Sequence, residues 1–240
     1  MFSEQQNSKL EEVWGKIPRV LIGCPEYEKK DYSIERWAER VKELDYPNYE
    51  VLVADNSEDQ EHIKVWEKLG IRAVWTGHQD TARDRLTQSR EYLRKYALEN
   101  GFDFFFDLES DIIPTKDIIY ELLKWGKKVI GGWYYIGLPN FARPCLSRVF
   151  MEVDHPDLKL TLFEYMAKHR LMKVFMGSMG VLMMHRDVLE QVPFYYIPVM
   201  YRMDDTFYFI ELERRGIDVY IDTDLLVAHF TGDWRKVEDF

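Results

Sequence analysis

Asp107, Glu109 and Asp111 stand two residues apart at the end of the run Phe104-Phe105-Phe106-Asp107-Leu108-Glu109-Ser110-Asp111-Ile112-Ile113-Pro114. Alternate side chains of an extended chain face the same side, so the three carboxylates are set to turn toward one ligand. Acids this close repel each other unless a cation neutralises them. Oxygen donors with no His or Cys nearby suit Mg²⁺ or Mn²⁺, ions that usually also hold substrate phosphates. The Phe-rich run before them reads as a buried strand, and α/β sheets place their ligands at the carboxyl ends of strands. The competing reading is structural: the same acids would cap a helix starting near Thr115, whose N-terminus favours negative charge.

The elements that must position these acids follow from pattern. Ile17–Cys24 is a short apolar run ending at Cys24-Pro25, as a first parallel strand would. A helix capped by Ser33 places Ile34, Trp37, Val41 and Leu44 on one face. After the break at Asp45-Tyr46-Pro47-Asn48, Glu50–Ala54 resumes as a strand that ends at Asp55-Asn56-Ser57. An amphipathic stretch, Glu61–Leu69, closes at Gly70, and Ile71–Trp75 reads as a third strand. Thr81–Asn100 carries Ala82, Leu86, Leu93 and Tyr96 on one face, stops at Gly101 and leads into the Phe-rich strand. Alternating strands and helices with short polar turns predict an α/β fold with a mostly parallel sheet flanked by helices, and the first 125 or so residues read as a nucleotide-binding half.

The second half is less regular. Lys128–Tyr135 and Val181–Met184 read as strands; Leu158–His169, Arg186–Gln191 and Asp204–Arg215 read as helices, the last stopped by Gly216 before the strand-like Val219–Ile221. With no repeat, low-complexity tract or linker, the expectation is one continuous domain over residues 1–240, with a nucleotide-binding half at about 17–125 and an acceptor-binding half at about 126–240.

Composition narrows the function. A hydrophobic fraction of 46% with 15% aromatics describes a packed globular protein. A formal net charge of -10 argues against nucleic acid as a partner, because phosphate-backbone affinity needs clustered Lys and Arg. The two cysteines, Cys24 and Cys145, show neither disulfide nor zinc spacing. The polar, acidic start Met1–Glu12 lacks the pattern of a signal peptide, and no apolar run approaches a membrane span. The expectation is a cytoplasmic protein that would meet any lipid-linked substrate by peripheral membrane contact.

Taken in order along nearly the whole chain, these segments resemble glycosyltransferases of the GT-A fold, especially the large family-2-like group that uses nucleotide-diphosphate sugars. The resemblance implies a nucleotide-binding half and an acceptor-binding half, a UDP- or GDP-sugar donor, a carbohydrate or other hydroxyl acceptor and an Mn²⁺ or Mg²⁺ cofactor. Pro25, Glu26 and Tyr27, after Cys24, resemble the nucleotide-facing end of the first strand, and Asp55 the aspartate that recognises base and ribose. Thr81-Ala82-Arg83-Asp84-Arg85 is similar to the Ala-Arg-Asn segment, departing from it at Asp84, and implies that Arg83 approaches the nucleotide or its phosphates. Glu109-Ser110-Asp111 resembles the metal-binding Asp-x-Asp motif with Glu in the first place, which implies Glu109 and Asp111 as metal ligands and Ser110 between them at the donor.

Gly177–Arg186 resembles the glycine-rich turn and strand that line the sugar and acceptor site. Small residues such as Gly180 there would let a ligand approach the backbone, and the same glycines also suit a tight turn. Met203-Asp204-Asp205-Thr206 resembles the acid-acid motif at the helix where inverting members keep their base, implying Asp205 as base and Asp204 as its neighbour; by residue type alone either acid suits a helix cap. His229, ending Leu225–Phe230, matches a late metal ligand, against the ordinary reading of a hydrogen-bonded core His. Thr231–Lys236 would fold over the diphosphate. Trp133-Tyr134-Tyr135 and Phe194-Tyr195-Tyr196 suit sugar stacking or core packing, and Arg143 and Arg202 suit an acidic acceptor or plain surface charge.

Three alternatives stay open on the sequence: a retaining enzyme of the same fold, a sugar-phosphate nucleotidyltransferase and an inactive binding module. Pro25-Glu26-Tyr27-Glu28 lacks the Gly-rich basic loop that a nucleotidyltransferase needs for a triphosphate. Survival of Glu109, Asp111 and Asp205 speaks against loss of turnover.

Overall fold

The computed structural model describes residues 2–138, 141–144, 169–200 and 202–230, the backbone alone at 136–138 and 141–144. It opens with a helix that the periodicity reading does not predict, α1 (Glu4–Trp14). Ser3 and Gln6 form a reciprocal capping box, and Gly15 ends the helix at φ 73°. Trp14 anchors it to the body: its indole N–H donates to the Leu123 carbonyl at 2.8 Å, and its ring meets Phe104 edge-on.

The first half alternates as expected: β1 (Val20–Glu26), α2 (Ile34–Lys42), β2 (Tyr49–Asp55), α3 (Ile63–Lys68), β3 (Ala73–Trp75), α4 (Ala82–Glu99) and β4 (Phe104–Leu108). Thr81 caps α4 by accepting from the Asp84 amide, whereas the Ser33 hydroxyl donates to the Lys30 carbonyl and leaves α2 without a side-chain cap. Then come β5 (Ile112–Ile113), α5 (Ile118–Leu123), β6 (Val129–Trp133), β7 (Tyr135–Leu138) and β8 (Phe141–Pro144). Beyond these lie β9 (Leu171–Val174), β10 (Val181–His185), α6 (Arg186–Leu189), α7 (Asp204–Arg214), β11 (Val219–Leu226) and β12 (Ala228–His229). The expected strand Lys128–Tyr135 is interrupted at Tyr134, and β9 is an edge strand that the sequence reading misses. The predicted helix Leu158–His169 lies, but for its last residue, outside the described residues, as do Cys145, Thr231–Lys236 and the side chain of Arg143.

One eight-stranded sheet runs β3-β2-β1-β4-β10-β6-β11-β9, parallel at β3-β2-β1-β4 and β6-β11 and antiparallel elsewhere. Alternation along β4 sends Phe104 and Phe106 into the core on one face and Phe105 into the core on the other. A glycine is required in β1, because a Cβ at Gly23 would lie 2.5 Å from the Phe105 ring and 3.0 Å from Leu93 of α4. Pro25 is tolerated because β4 pairs only with Val20–Gly23.

Two connections build the site. Strand β10 inserts antiparallel beside β4, with Val181 opposite Leu108, so the turn at Gly180 meets Glu109. Strand β12 leaves the main sheet to pair with β5, His229 opposite Ile112, and the Phe230 amide donates to the Asp111 carbonyl at 2.8 Å. Residues more than 100 positions apart thereby meet at the carboxyl end of β4. Among the described residues no helix is long and apolar enough to cross a membrane.

Candidate functional site

Asp107, Glu109 and Asp111 do not share one ligand. They are threaded on two cations. Arg90 of α4 donates from Nε to Asp107 (2.7 Å), from Nη2 to Glu109 (2.7 Å) and from Nη1 to Asp204 (2.9 Å), and is 3% exposed. Lys30, at the end of a single 3₁₀ turn after β1, pairs with Glu109 at 2.7 Å and Asp111 at 3.0 Å. Glu109 is the shared link. None of the three acids caps a helix: α5 begins only at Ile118, behind Asp117, and has no side-chain cap.

The electrostatics report a shortage of positive charge. Burial pushes the Glu26 carboxyl up to about 8 against the pull of Lys30. It pushes Asp107 up to about 7 despite Arg90, and raises Asp111 and Asp204 as well. Burial also opposes ionisation of Glu109, yet Lys30 and Arg90 together hold it down to about 2. Four buried acids, Glu26, Asp107, Asp111 and Asp204, and the partly exposed Glu109 thus face two cations, Lys30 and Arg90, and burial leaves all of them but Glu109 raised.

His229 approaches from β12. Its Nδ1 lies 3.1 Å from the Tyr135 carbonyl, which can only accept, so that nitrogen carries a proton. In the neutral ring Nε2 is then the lone-pair nitrogen, and it faces Asp111 Oδ2 at 3.8 Å, with Tyr134 packed on the ring. Among the described residues no three His, Cys, Asp or Glu side chains close to metal-binding distance; the Lys30 ammonium stands between Glu109 and Asp111. The residues nevertheless fit a divalent cation. Asp111 Oδ1 is buried with no hydrogen-bond partner, the acids outnumber the cations, and a backbone carbonyl fixes the His tautomer as in many metal sites.

Gly180 serves these acids more than the turn. Its φ is not left-handed, but a Cβ there would lie 2.7 Å from Ile112 Cδ1 and 3.2 Å from both Cγ and Cδ of Glu109. The Glu109 side chain occupies the space that the glycine leaves, while its amide donates to the Gly180 carbonyl at 3.1 Å. Gly180→Ala is expected to lose about 1–3 kcal/mol by overpacking and to displace Glu109; a urea titration and the Mn²⁺ affinity, measured together, check both parts.

Beside the acids lies a cavity of about 120 Å³ lined by Pro25, Glu26, Tyr27, Lys30, Asn56, Ala82, Arg85 and Leu86. The Arg85 guanidinium covers the Tyr27 ring at 4.2 Å, and Asn56 Oδ1 is buried with no partner. Ser110 is buried next to Glu26. Two residues singled out on the sequence are engaged elsewhere. Arg83 donates to the Met200 carbonyl at 3.0 Å and lies over Tyr196, so Arg85 is the arginine at the cavity. Asp55 is fully buried, its Oδ2 2.6 Å from His62 Nδ1 and its Oδ1 accepting from the Ser57 amide, and Asn56 lines the cavity in its place.

The two acids opening α7 differ sharply. Asp204 is fully buried and bound to Arg90. Asp205 is half-buried, with Oδ1 accepting from the Thr206 amide at 2.5 Å and from the Thr206 hydroxyl at 3.2 Å. Neither side chain caps the helix. The aromatic stretches are mainly structural: the Trp133 indole donates to the Thr223 carbonyl, Phe194 stacks on Tyr208, and the Tyr195 and Tyr196 hydroxyls donate to Glu211 and Asp84. Arg202 is exposed. Sequence reading passed over Arg90, Lys30 and Arg85. Arg90 left a signal, since Arg90, Leu93 and Ala97 recur at helical spacing and put a charge in the buried stripe of α4; a lysine in a three-residue turn leaves none.

The chain has the fold of solved GT-A glycosyltransferases, as the resemblance implied. The fold is shared with solved structures at 15% sequence identity. The mannosyltransferase PcManGT from Pyrobaculum calidifontis, in complex with GDP-Man and Mn²⁺, matches over 88% of this chain and 56% of its own with a TM-score of 0.56. Glucosyl-3-phosphoglycerate synthase from Mycobacterium tuberculosis, with Mn²⁺, UDP and glucosyl-3-phosphoglycerate, is 15% identical and matches over 95% of this chain and 77% of its own, with a TM-score of 0.50. A197 from STIV, also 15% identical, matches over 90% and 87%, with a TM-score of 0.50. No family model and no curated protein matches the sequence.

Proposed function

We propose that this protein is a divalent-metal-dependent glycosyltransferase that moves a sugar from a nucleotide-diphosphate donor to an acceptor hydroxyl with inversion. The observation that carries the reading is the charge-deficient acid pair Glu109 and Asp111, with His229 beside it, at the edge of the cavity between Pro25 and Arg85. In this reading Glu109, Asp111 and His229 hold the cation, and the nitrogen donor suits Mn²⁺ better than Mg²⁺. The occupants named for the neighbours, GDP-Man with Mn²⁺ and UDP with Mn²⁺, support a donor of that class.

Pro25, Tyr27, Asn56 and Leu86 cradle the nucleoside, with the Asn56 Oδ1 acceptor available to a base N–H, and Lys30 and Arg85 face the diphosphate. A divalent cation, when bound, supplies positive charge against the departing diphosphate. Asp205 takes the proton of the acceptor hydroxyl as its oxygen bonds to the anomeric carbon. The bond from that carbon to the diphosphate oxygen breaks on the opposite side, and its electron pair leaves with the diphosphate. Asp204, held by Arg90, positions the start of the helix that carries Asp205.

Thermal shift with UDP, GDP and their sugars, each with Mn²⁺ or EDTA, tests the donor site. Wild type is expected to be stabilised only by nucleotide and metal together, by about 2.7 kcal/mol at a ligand concentration of one hundred times Kd, and Asp111→Ala is expected to abolish the shift. No metal-dependent shift with any nucleotide would leave a binding module without this chemistry.

A further inference from the structure

We propose that Lys30 is an exchangeable counter-ion: its ammonium holds the place of the metal between Glu109 and Asp111 while the donor is absent, and transfers to the donor's diphosphate when the cation enters. The inference rests on the metal-site reading above and adds to it the reason why metal and donor must arrive together.

Geometry supplies the argument. Lys30 Nζ touches Glu109 Oε2 at 2.7 Å and Asp111 Oδ2 at 3.0 Å, so it contacts both expected ligands at once. Its side chain also lines the cavity between Pro25 and Arg85, so both destinations lie within reach of one four-carbon stem. The residue ends a 3₁₀ turn of three residues, Glu28–Lys30, that one residue, Tyr27, separates from β1, and its side chain is 26% exposed. Arg90 is the contrast. Its guanidinium is 3% exposed and pinned by three carboxylates in fixed directions, whereas an ammonium is a point charge with three rotatable donors.

Charge balance gives the direction of exchange. Glu109 and Asp111 carry two negative charges when both are ionised, against one ammonium and a share of the Arg90 guanidinium that Asp107 and Asp204 also draw on, so the pair stays short of positive charge. A divalent cation compensates both, but it cannot share the site with an ammonium about 3 Å from each acid, because the two cations repel at that range. The displaced ammonium needs an acceptor, and a diphosphate in the adjoining cavity provides one. Metal without nucleotide therefore has to strand Lys30, and nucleotide without metal finds Lys30 already engaged. Each ligand assists the other, as reciprocity of coupling requires.

The test uses Lys30→Met, which removes the charge and keeps an unbranched stem, with Lys30→Gln as a second charge-removing variant and Lys30→Arg as the charge-retaining control. MnCl₂ alone is titrated by calorimetry or by electron paramagnetic resonance of free Mn²⁺, and UDP and GDP are then titrated at saturating Mn²⁺. Both charge-removing variants are expected to bind Mn²⁺ alone at least about tenfold more tightly than wild type. They are also expected to bind the preferred nucleotide at least about tenfold more weakly at saturating Mn²⁺. Lys30→Arg should keep the wild-type pattern. Unchanged or weaker Mn²⁺ binding in both charge-removing variants, with wild-type binding intact, overturns the exchange and leaves the metal site standing. No Mn²⁺ binding by wild type or variants, with or without nucleotide, overturns the metal site and the exchange together.

Discussion

Asp205→Asn is expected to lower the turnover of sugar transfer by about 10²–10⁴-fold, the usual contribution of a positioned general base, while leaving Mn²⁺-dependent nucleotide binding at the wild-type value. The two effects separate because Asp205 does not line the cavity and its fixed oxygen is held locally, by the amide and hydroxyl of Thr206, while Arg90, which feels its charge, is bonded to Asp107, Glu109 and Asp204. Asparagine keeps that acceptor oxygen and removes only the basic one, so the fold should be spared. Asp204→Asn is the control that cannot behave this way. It weakens a buried charge pair with Arg90 and is expected to show first as a loss of stability.

The stereochemistry of the first-formed product decides between the two carboxylate chemistries open to this fold. A β-linked product from an α-linked donor agrees with direct displacement, in which Asp205 takes the proton and no covalent intermediate forms. An α-linked product removes Asp205 from that role, as would full transfer activity in Asp205→Asn.

What the sequence could convey followed physical range. The Phe-rich strand, α4 with its Thr81 cap and Gly101 stop, and the run of β1 to β3 are specified by local periodicity and capping, and the structure has them within a few residues. Helix α1 was also specified locally, by the Ser3-Gln6 capping box, but its polar surface hid it from a search for apolar stripes. The antiparallel insertion of β10 between β4 and β6 and the departure of β12 to β5 depend on pairings between distant segments, to which no local pattern points. For the site, the acid spacing at 107, 109 and 111 was legible while its partners were not. Which cation meets which acid is settled by the packing of α4 and the turn after β1. Period two placed the acids together, but the strand ends at Leu108, so they part onto Arg90 and Lys30.

Arg90→Leu is expected to be the most destabilising single substitution at this site, by about 3–5 kcal/mol, because it leaves Asp107, Asp204 and one side of Glu109 buried without their cation. Arg90→Lys should recover only part of the loss, since one ammonium cannot reproduce a fork that serves three acids in three directions. The pH dependence carries the diagnosis. In wild type Asp107 is already pushed up to about 7 by burial against the pull of Arg90, and Asp204 is raised for the same reason. A carboxyl raised in the folded state keeps a proton that the unfolded chain has released, so stability falls as pH climbs from the ordinary carboxylate range through the folded value. Removing Arg90 raises these groups further and extends the fall to higher pH. Glu109 runs the other way: held down to about 2, it contributes stability that is present above its ordinary value of 4.5 and lost as pH drops through 2, and the variant forfeits part of that contribution. Both changes make the deficit of Arg90→Leu small in acid and large in alkali. Urea midpoints of variant and wild type at pH 5 and pH 8 measure it: a gap that widens toward pH 8 identifies uncompensated buried acids as the cause, whereas a gap independent of pH reduces Arg90 to a packing residue.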